Sequence, residues 1–157
     1  MTLLFKLERK RSGKNMITKG MMTSLTDDWG TPTWLFNNLN DKFNFTLDVC
    51  ASDENAKCSK YFTIKENGLE QDWEDVNWCN PPYGRKIGLW VKKAFEENKK
   101  GKTVVLLLPA RTDTKWFHDY IYCNYRVDFI KGRLKFNDGK NPAPFPSMIV
   151  YMIGKDE

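Results

Sequence analysis

The sequence predicts an α/β fold: a mostly parallel, Rossmann-like sheet with helices on its faces, reduced in size. Three observations predict it. First, 76–79 and 103–109 are short apolar runs, each halted by proline, with a helix-period segment between them. That is the strand–helix–strand order of a parallel sheet. Second, a helix-period segment and an alternating segment precede this unit, at 32–42 and 43–49. Third, two more strand-like runs, 126–130 and 147–153, close the chain and supply a terminal pair with an antiparallel strand.

A chain of 157 residues suits one domain with a real core. The net charge of +5 is unevenly placed: residues 1–26 hold six Lys/Arg against one acid, and the rest holds 19 of each sign. The segment 1–26 therefore reads as a basic, flexible tail, either solvated or grazing an anionic partner, and 27–157 as the folded domain. A body of zero net charge must meet a polyanion through a local patch. No apolar run approaches the ~18 residues of a membrane span, and the apolar part of the opening is too short for a secretory signal. The four cysteines form no CxxC pair and His118 is the only histidine. That pattern predicts reduced thiols in a cytosolic protein and no metal site.

In the first helix Thr31 suits the N-cap and Pro32 the first helical position. Trp34, Leu35, Leu39 and Phe43 then recur at helical spacing. Residues 43–49 alternate as a strand around Asp48, and 53–61 read as a short helix or turn. A helix over 86–99 places Ile87, Trp90, Val91, Ala94 and Phe95 on one face. Its charges, Lys92, Lys93, Lys99 and Lys100, are expected in solvent, as is Lys102. The run 103–109 is apolar throughout, as in a strand buried on both faces. Residues 113–122 predict a short amphipathic helix with Trp116, Phe117 and Tyr120, and His118 on its flank. Residues 132–136 alternate like a strand, with Arg133 and Lys135 outward. A Gly/Asn/Pro-rich loop follows at 137–146.

The stretch 76–83, Val-Asn-Trp-Cys-Asn-Pro-Pro-Tyr, carries the chemistry. Two prolines stop the strand, leaving Asn80 and Tyr83 at the lip of the sheet, where ligands bind in open α/β folds. The Asn80 carboxamide oxygen and the Pro81 carbonyl are two acceptors on a stiff turn, suited to an amine with two N–H donors, such as that of a nucleobase. Tyr83 offers a ring face for the base. Cys79 points to the opposite face and reads as packing.

Five stretches together resemble the phage-type DNA N-6-adenine-methyltransferase (Dam) family: 28–32 (Asp-Trp-Gly-Thr-Pro), 47–51 (Leu-Asp-Val-Cys-Ala), 80–84 (Asn-Pro-Pro-Tyr-Gly), 108–113 (Leu-Pro-Ala-Arg-Thr-Asp) and 132–136 (Gly-Arg-Leu-Lys-Phe). The resemblance implies a class I methyltransferase sheet that uses S-adenosylmethionine to methylate adenine N6 in DNA after base flipping. It implies a phage- or prophage-encoded enzyme acting in the cytoplasm of a bacterial host, as in restriction–modification. Asn80, Pro81 and Pro82 would hold the amine and Tyr83 would stack on the base. Asp48 would lie near the methionine amino group, with Ala51 beside it, and Thr31 and Pro32 near the carboxylate. Asp72 would accept from the cofactor's adenine amine, with Trp73 or Trp29 against a ring.

The usual glycine-rich turn is replaced by Cys50-Ala51-Ser52-Asp53, leaving Glu54 and Glu66 as candidates for the ribose. Arg111 and Asp113 follow a strand end and are expected to meet DNA, the alternative being an ion pair with each other. Arg133 and Lys135 are expected on phosphates or on a solvated face. No block is long enough for a separate recognition domain, so 137–146 and the helix after Tyr83 are the expected readers. Cytosine N4, RNA or a protein amide are the alternative substrates, and an inactive DNA-binding remnant the alternative of another class.

Overall fold

The computed structural model describes residues 29–155, so the expected tail at 1–26 lies outside them. The strand β3 (Thr103–Pro109) anchors the fold because Val104 through Leu108 are all apolar. All five are fully buried, although successive side chains of a strand point to opposite faces. Both faces of the sheet are therefore covered. Each such burial is worth about 1.5–3 kcal/mol.

Around it stand β1 (Leu47–Asp48), β2 (Val76–Cys79), β4 (Arg126–Phe129) and β5 (Ser147–Met152). Among the described residues they form one five-stranded sheet ordered β1-β2-β3-β5-β4. β1, β2 and β3 run parallel, and β5 is antiparallel to both β3 and β4. This is the expected mostly parallel sheet with an antiparallel strand near the C-terminus, consistent with a reduced class I methyltransferase fold.

The expected strand over 43–49 shrinks to β1. Its backbone pairing nevertheless extends on either side, through Thr46 N–H to Val76 O and Val49 N–H to Trp78 O. Phe45, preceding it, packs on Phe36 and Trp78. Residues 60–62 close the other edge, with Asp48 N–H donating to Lys60 O and Phe62 N–H to Asp48 O. Gly68 is required here by close approach, since a Cβ would lie 2.1 Å from the Val49 carbonyl oxygen.

Helix α1 (Thr33–Phe43) buries Leu35, Phe36 and Leu39. It ends at Asn44 in the left-handed conformation, which an asparagine tolerates. Helix α2 (Ile87–Lys99) buries Ile87, Trp90, Val91 and Ala94 and packs against β3 and β5. It also buries Glu97, whose side chain is 0% exposed and meets Lys93 at 2.7 Å, Lys100 at 3.0 Å and Lys102 at 2.8 Å. Lys93 and Lys102 are thus largely enclosed, where solvated charge was expected, while Lys100 reaches Glu97 from an exposed position. Burial alone would push the Glu97 carboxyl up, but the three ammonium groups outweigh it and hold it at about 2.

The helix expected over 113–122 contains a π-helical turn, Phe117–Ile121, closed by Tyr122 N–H to Phe117 O. His118 Nε2 donates to Thr112 O at 2.7 Å at the surface. The stretch 132–136 is not a strand. It keeps the alternation, with Leu134 and Phe136 buried and Arg133 and Lys135 exposed, but it has no sheet partner and runs into a 3₁₀ turn, Phe136–Asp138.

Candidate active site

Where β1 and β2 end, the chain turns away from the sheet and leaves a pocket of about 320 Å³. Asp48 and Ala51 come to it from β1, Asn80, Pro81 and Pro82 from β2, and Trp29, Gly30 and Thr31 from the segment before α1. The pocket lies at the carboxyl ends of adjacent parallel strands, as ligand sites in open α/β sheets do.

Asn80 is fixed by a segment about 50 residues away in sequence. Its Nδ2 donates to the Trp29 carbonyl and, at 3.0 Å, to the Thr31 hydroxyl. A backbone carbonyl can only accept, so the nitrogen must face this segment and the oxygen must point away. That oxygen, Asn80 Oδ1, is buried and has no hydrogen-bond partner among the described residues. A buried acceptor left unpaired costs about 1–3 kcal/mol, and such atoms in native folds call for a functional explanation.

Asp48 closes the other side. It is 3% exposed. Its Oδ2 accepts from the Lys57 N–H at 3.0 Å and its Oδ1 from the Cys50 N–H at 3.4 Å. Burial pushes its carboxyl up to about 6, partly offset by those two N–H bonds and the Lys57 charge. Cys58 is pushed up to about 12 by burial and by the Asp48 charge. Cys79, fully buried, is likewise raised by burial, which makes it packing and not a nucleophile.

The turn after β1 replaces the glycine-rich one with a folded loop. Ser52 N–H donates to Asn55 Oδ1 at 2.7 Å and Ala51 N–H to Phe62 O at 2.9 Å. This loop brings Lys57 back to the pocket beside Asp48. Lys57, Ser52, Asn55, Ile64 and Trp78 also line the pocket, and the sequence reading missed them. The helix or turn expected over 53–61 was the nearest signal that the chain doubles back here.

Several expected site residues stand elsewhere. Tyr83 is 5% exposed, and its hydroxyl donates to Leu107 O at 2.9 Å. Its ring meets Phe136 and Phe145 edge to face, so it is a core ring and not an open stacking face. Trp29, half-buried and lining the pocket, packs edge-on against the same two phenylalanines. Asp72 and Trp73 precede β2 at its amino end, opposite the pocket. Asp72 is 94% exposed in its side chain and lies 3.9 Å from Lys100. Trp73 is buried with its indole N–H on Gly68 O. Neither lines the pocket, because a strand separates its two ends.

Thr31 is turned to Asn80 and does not cap α1; Pro32 takes the N-cap position with no side-chain bond and is buried beneath it. Glu66 is engaged by the Thr63 N–H and hydroxyl, and Glu54 is exposed. Arg111 and Asp113 are exposed just past β3, with no ion pair between them among the described residues. Arg133 and Lys135 are exposed as well.

A family model described as DNA N-6-adenine-methyltransferase (Dam) matches residues 19–151. The chain is 32% identical over 141 residues to a DNA N-6-adenine-methyltransferase of Haemophilus phage HP1, covering 82% of each. It is 33% identical over 109 residues to the DNA N-6-adenine-methyltransferase of Escherichia phage T1, covering 68% of this chain and 45% of that protein. Over a shorter stretch of 65 residues it is 37% identical to a putative methyltransferase of Escherichia coli, YfdM. No helix among the described residues is long and apolar enough to cross a membrane. The pocket at the ends of β1 and β2, the Asn-Pro-Pro-Tyr turn on its lip and these matches converge: the chain belongs to the DNA N-6-adenine-methyltransferase (Dam) family.

Proposed function

We propose that this protein methylates adenine at N6 in DNA, with S-adenosylmethionine as donor and Asn80 as the residue that grips the target amine. The observation that carries the reading is the unpaired, buried Oδ1 of Asn80, held in place by two bonds from its own Nδ2. An N–H of the target amine satisfies that acceptor, and the Pro81 carbonyl on the same turn takes the second hydrogen. Accepting both draws the amine nitrogen toward a tetrahedral shape with its lone pair exposed. An adenine reaches this lip only after leaving the duplex stack.

The pocket suits the donor. Asp48 and Lys57, of opposite charge, both line it, and a methionine moiety presents an ammonium and a carboxylate. Trp29, Ile64, Trp78 and Pro82 add apolar wall against which an adenosine ring packs. S-adenosylmethionine supplies a methyl group already activated by its sulfonium. What remains for the chain is positioning, worth several orders of magnitude in rate. The nitrogen loses its proton after it has become cationic, so no side-chain base has to act before attack. Arg111, Arg133 and Lys135 are exposed cations for phosphates, and Asp113 an acceptor for a base edge.

The test is incubation of duplex DNA with methyl-labelled cofactor, followed by digestion to nucleosides. Label is expected in N6-methyl-2′-deoxyadenosine alone. Asn80→Ala should reduce transfer by more than about a thousandfold while S-adenosylhomocysteine still raises the melting temperature. Label in cytosine, or undiminished transfer by Asn80→Ala, overturns the reading.

A further inference from the structure

The 29–33 segment that anchors Asn80 is itself gripped from behind. Asn137 Oδ1 accepts the Gly30 N–H at 2.9 Å, and the Asn137 N–H donates to Gly30 O at 2.7 Å. A Cβ at Gly30 would stand 2.1 Å from Asn137 Oδ1, so the approach requires glycine. One residue on, Asp138 accepts the Thr33 N–H at 2.8 Å through Oδ1 and the Thr33 hydroxyl at 2.5 Å through Oδ2. It thus caps α1 from a distance of 105 residues, where Pro32 offers no side-chain bond. Asn137 and Asp138 both have positive φ, 56° and 50°. Two successive non-glycine residues in that region are strained and persist only where their surroundings hold them.

We propose that Asn137 and Asp138 are positioning residues: a strap that holds the 29–33 segment in register and, through the Trp29 carbonyl and Thr31 hydroxyl, sets the aim of the Asn80 carboxamide. The anchors interleave along the segment: Trp29 and Thr31 bond Asn80, while Gly30 between them and Thr33 just beyond bond the strap. A shift of Gly30 moves both acceptors of Asn80 Nδ2 together. Because Oδ1 has no partner of its own among the described residues, its direction follows from the two bonds of Nδ2. The strap follows Arg133 and Lys135, both exposed, on one continuous stretch of backbone, so DNA seated on those cations would bear on the strap through that backbone. The inference rests on the function proposed above.

Asn137→Gly separates positioning from folding. Glycine accepts the positive φ and keeps the backbone bond to Gly30 O, losing only the side-chain acceptor. The melting temperature is expected to stay within a few degrees. The single-turnover methyl-transfer rate is expected to fall about tenfold or more, with the affinities for S-adenosylhomocysteine and DNA within about threefold. Asn137→Asp, which restores an acceptor to Gly30, should recover most of the rate.

A readout independent of transfer is the side-chain amide signal of Asn80 in the ¹⁵N–¹H spectrum, assigned by its loss in Asn80→Ala. It should shift in Asn137→Gly and return in Asn137→Asp. A folded Asn137→Gly protein whose Asn80 signals are unmoved, or whose transfer rate is unchanged, overturns the strap. Shifted signals in a chain that never methylates DNA would leave the strap standing and remove the proposed function instead.

Discussion

Thr31 and Asn80 lie 49 positions apart in the chain, and Asn80 Nδ2 stands 3.0 Å from the Thr31 hydroxyl. That bond turns a residue suited by sequence to cap a helix into part of the frame around Asn80. The helix is then capped by Asp138 instead. Thr31→Ala removes one of the two anchors of the Asn80 carboxamide. The expected outcome is a fall in kcat of about tenfold, equivalent to about 1.4 kcal/mol and close to one hydrogen bond. Thr31→Ser should retain most of the activity, as steady-state assays on DNA will show.

Asp48 predicts a pH profile for cofactor binding. Its carboxyl sits at about 6 in the folded protein, above the roughly 3.9 of an unfolded aspartate. Its contribution to the stability of the free protein is therefore fully present below about 3.9 and is lost as pH rises through 6. An ammonium group that pairs with it favours the ionised form. Affinity for S-adenosylhomocysteine should rise from pH 5 to 7 and level off above. Calorimetric titration across that range checks it, and Asp48→Asn should bind weakly with a flatter profile. A flat wild-type curve would remove Asp48 from the cofactor site.

Glu97 is a stability residue far from the pocket. Glu97→Ala leaves three lysines facing one another in a partly closed site, at an expected cost of about 3–5 kcal/mol in urea unfolding. Because the Glu97 carboxyl is held down at about 2, its stabilising effect is complete above the usual glutamate value of roughly 4.3. It is lost as pH falls toward 2. Glu97→Gln should abolish that acid-range dependence.

Tyr83→Phe tests whether the ring packs or stacks. Removing the hydroxyl leaves the Leu107 carbonyl without this partner, an expected cost of about 1–2 kcal/mol in stability. Transfer kinetics should stay within about threefold, because the ring itself is retained. A loss of kcat with unchanged stability would instead give the hydroxyl a part in the reaction.

Asp72→Ala is expected to leave cofactor affinity within about twofold, measured by titration with S-adenosylhomocysteine. Its side chain is exposed at the end of β2 remote from Asn80, where a substitution has little to disturb.

Residues 76–83 illustrate what local information can settle. An apolar run stopped by two prolines ends a strand in any context, because proline can neither donate to a ladder nor continue a helix. The strands, the two longer helices and the family were legible from local patterns of this kind, as was the place of Asn80 at the carboxyl end of β2. The errors fell where a residue's partner lies far along the chain. Tyr83 offers a ring in sequence, but Phe136 and Phe145, 53 and 62 residues further along, enclose it. Asp72 stands only eight residues before Asn80, yet a strand carries it to the other end of the sheet. Lys93 and Lys102 look solvated until Glu97 is seen buried between them.

Taken alone, the sequence determined the chemistry on offer: a carboxamide and a carbonyl on a rigid turn, an acid one strand away, and a sheet to carry both. The tertiary structure decided the aim of that carboxamide. Residues 29–33 and 137–138 reach Asn80 and each other only in the folded chain. A hydrogen bond depends on distance and angle, and no local pattern encodes those across a hundred residues.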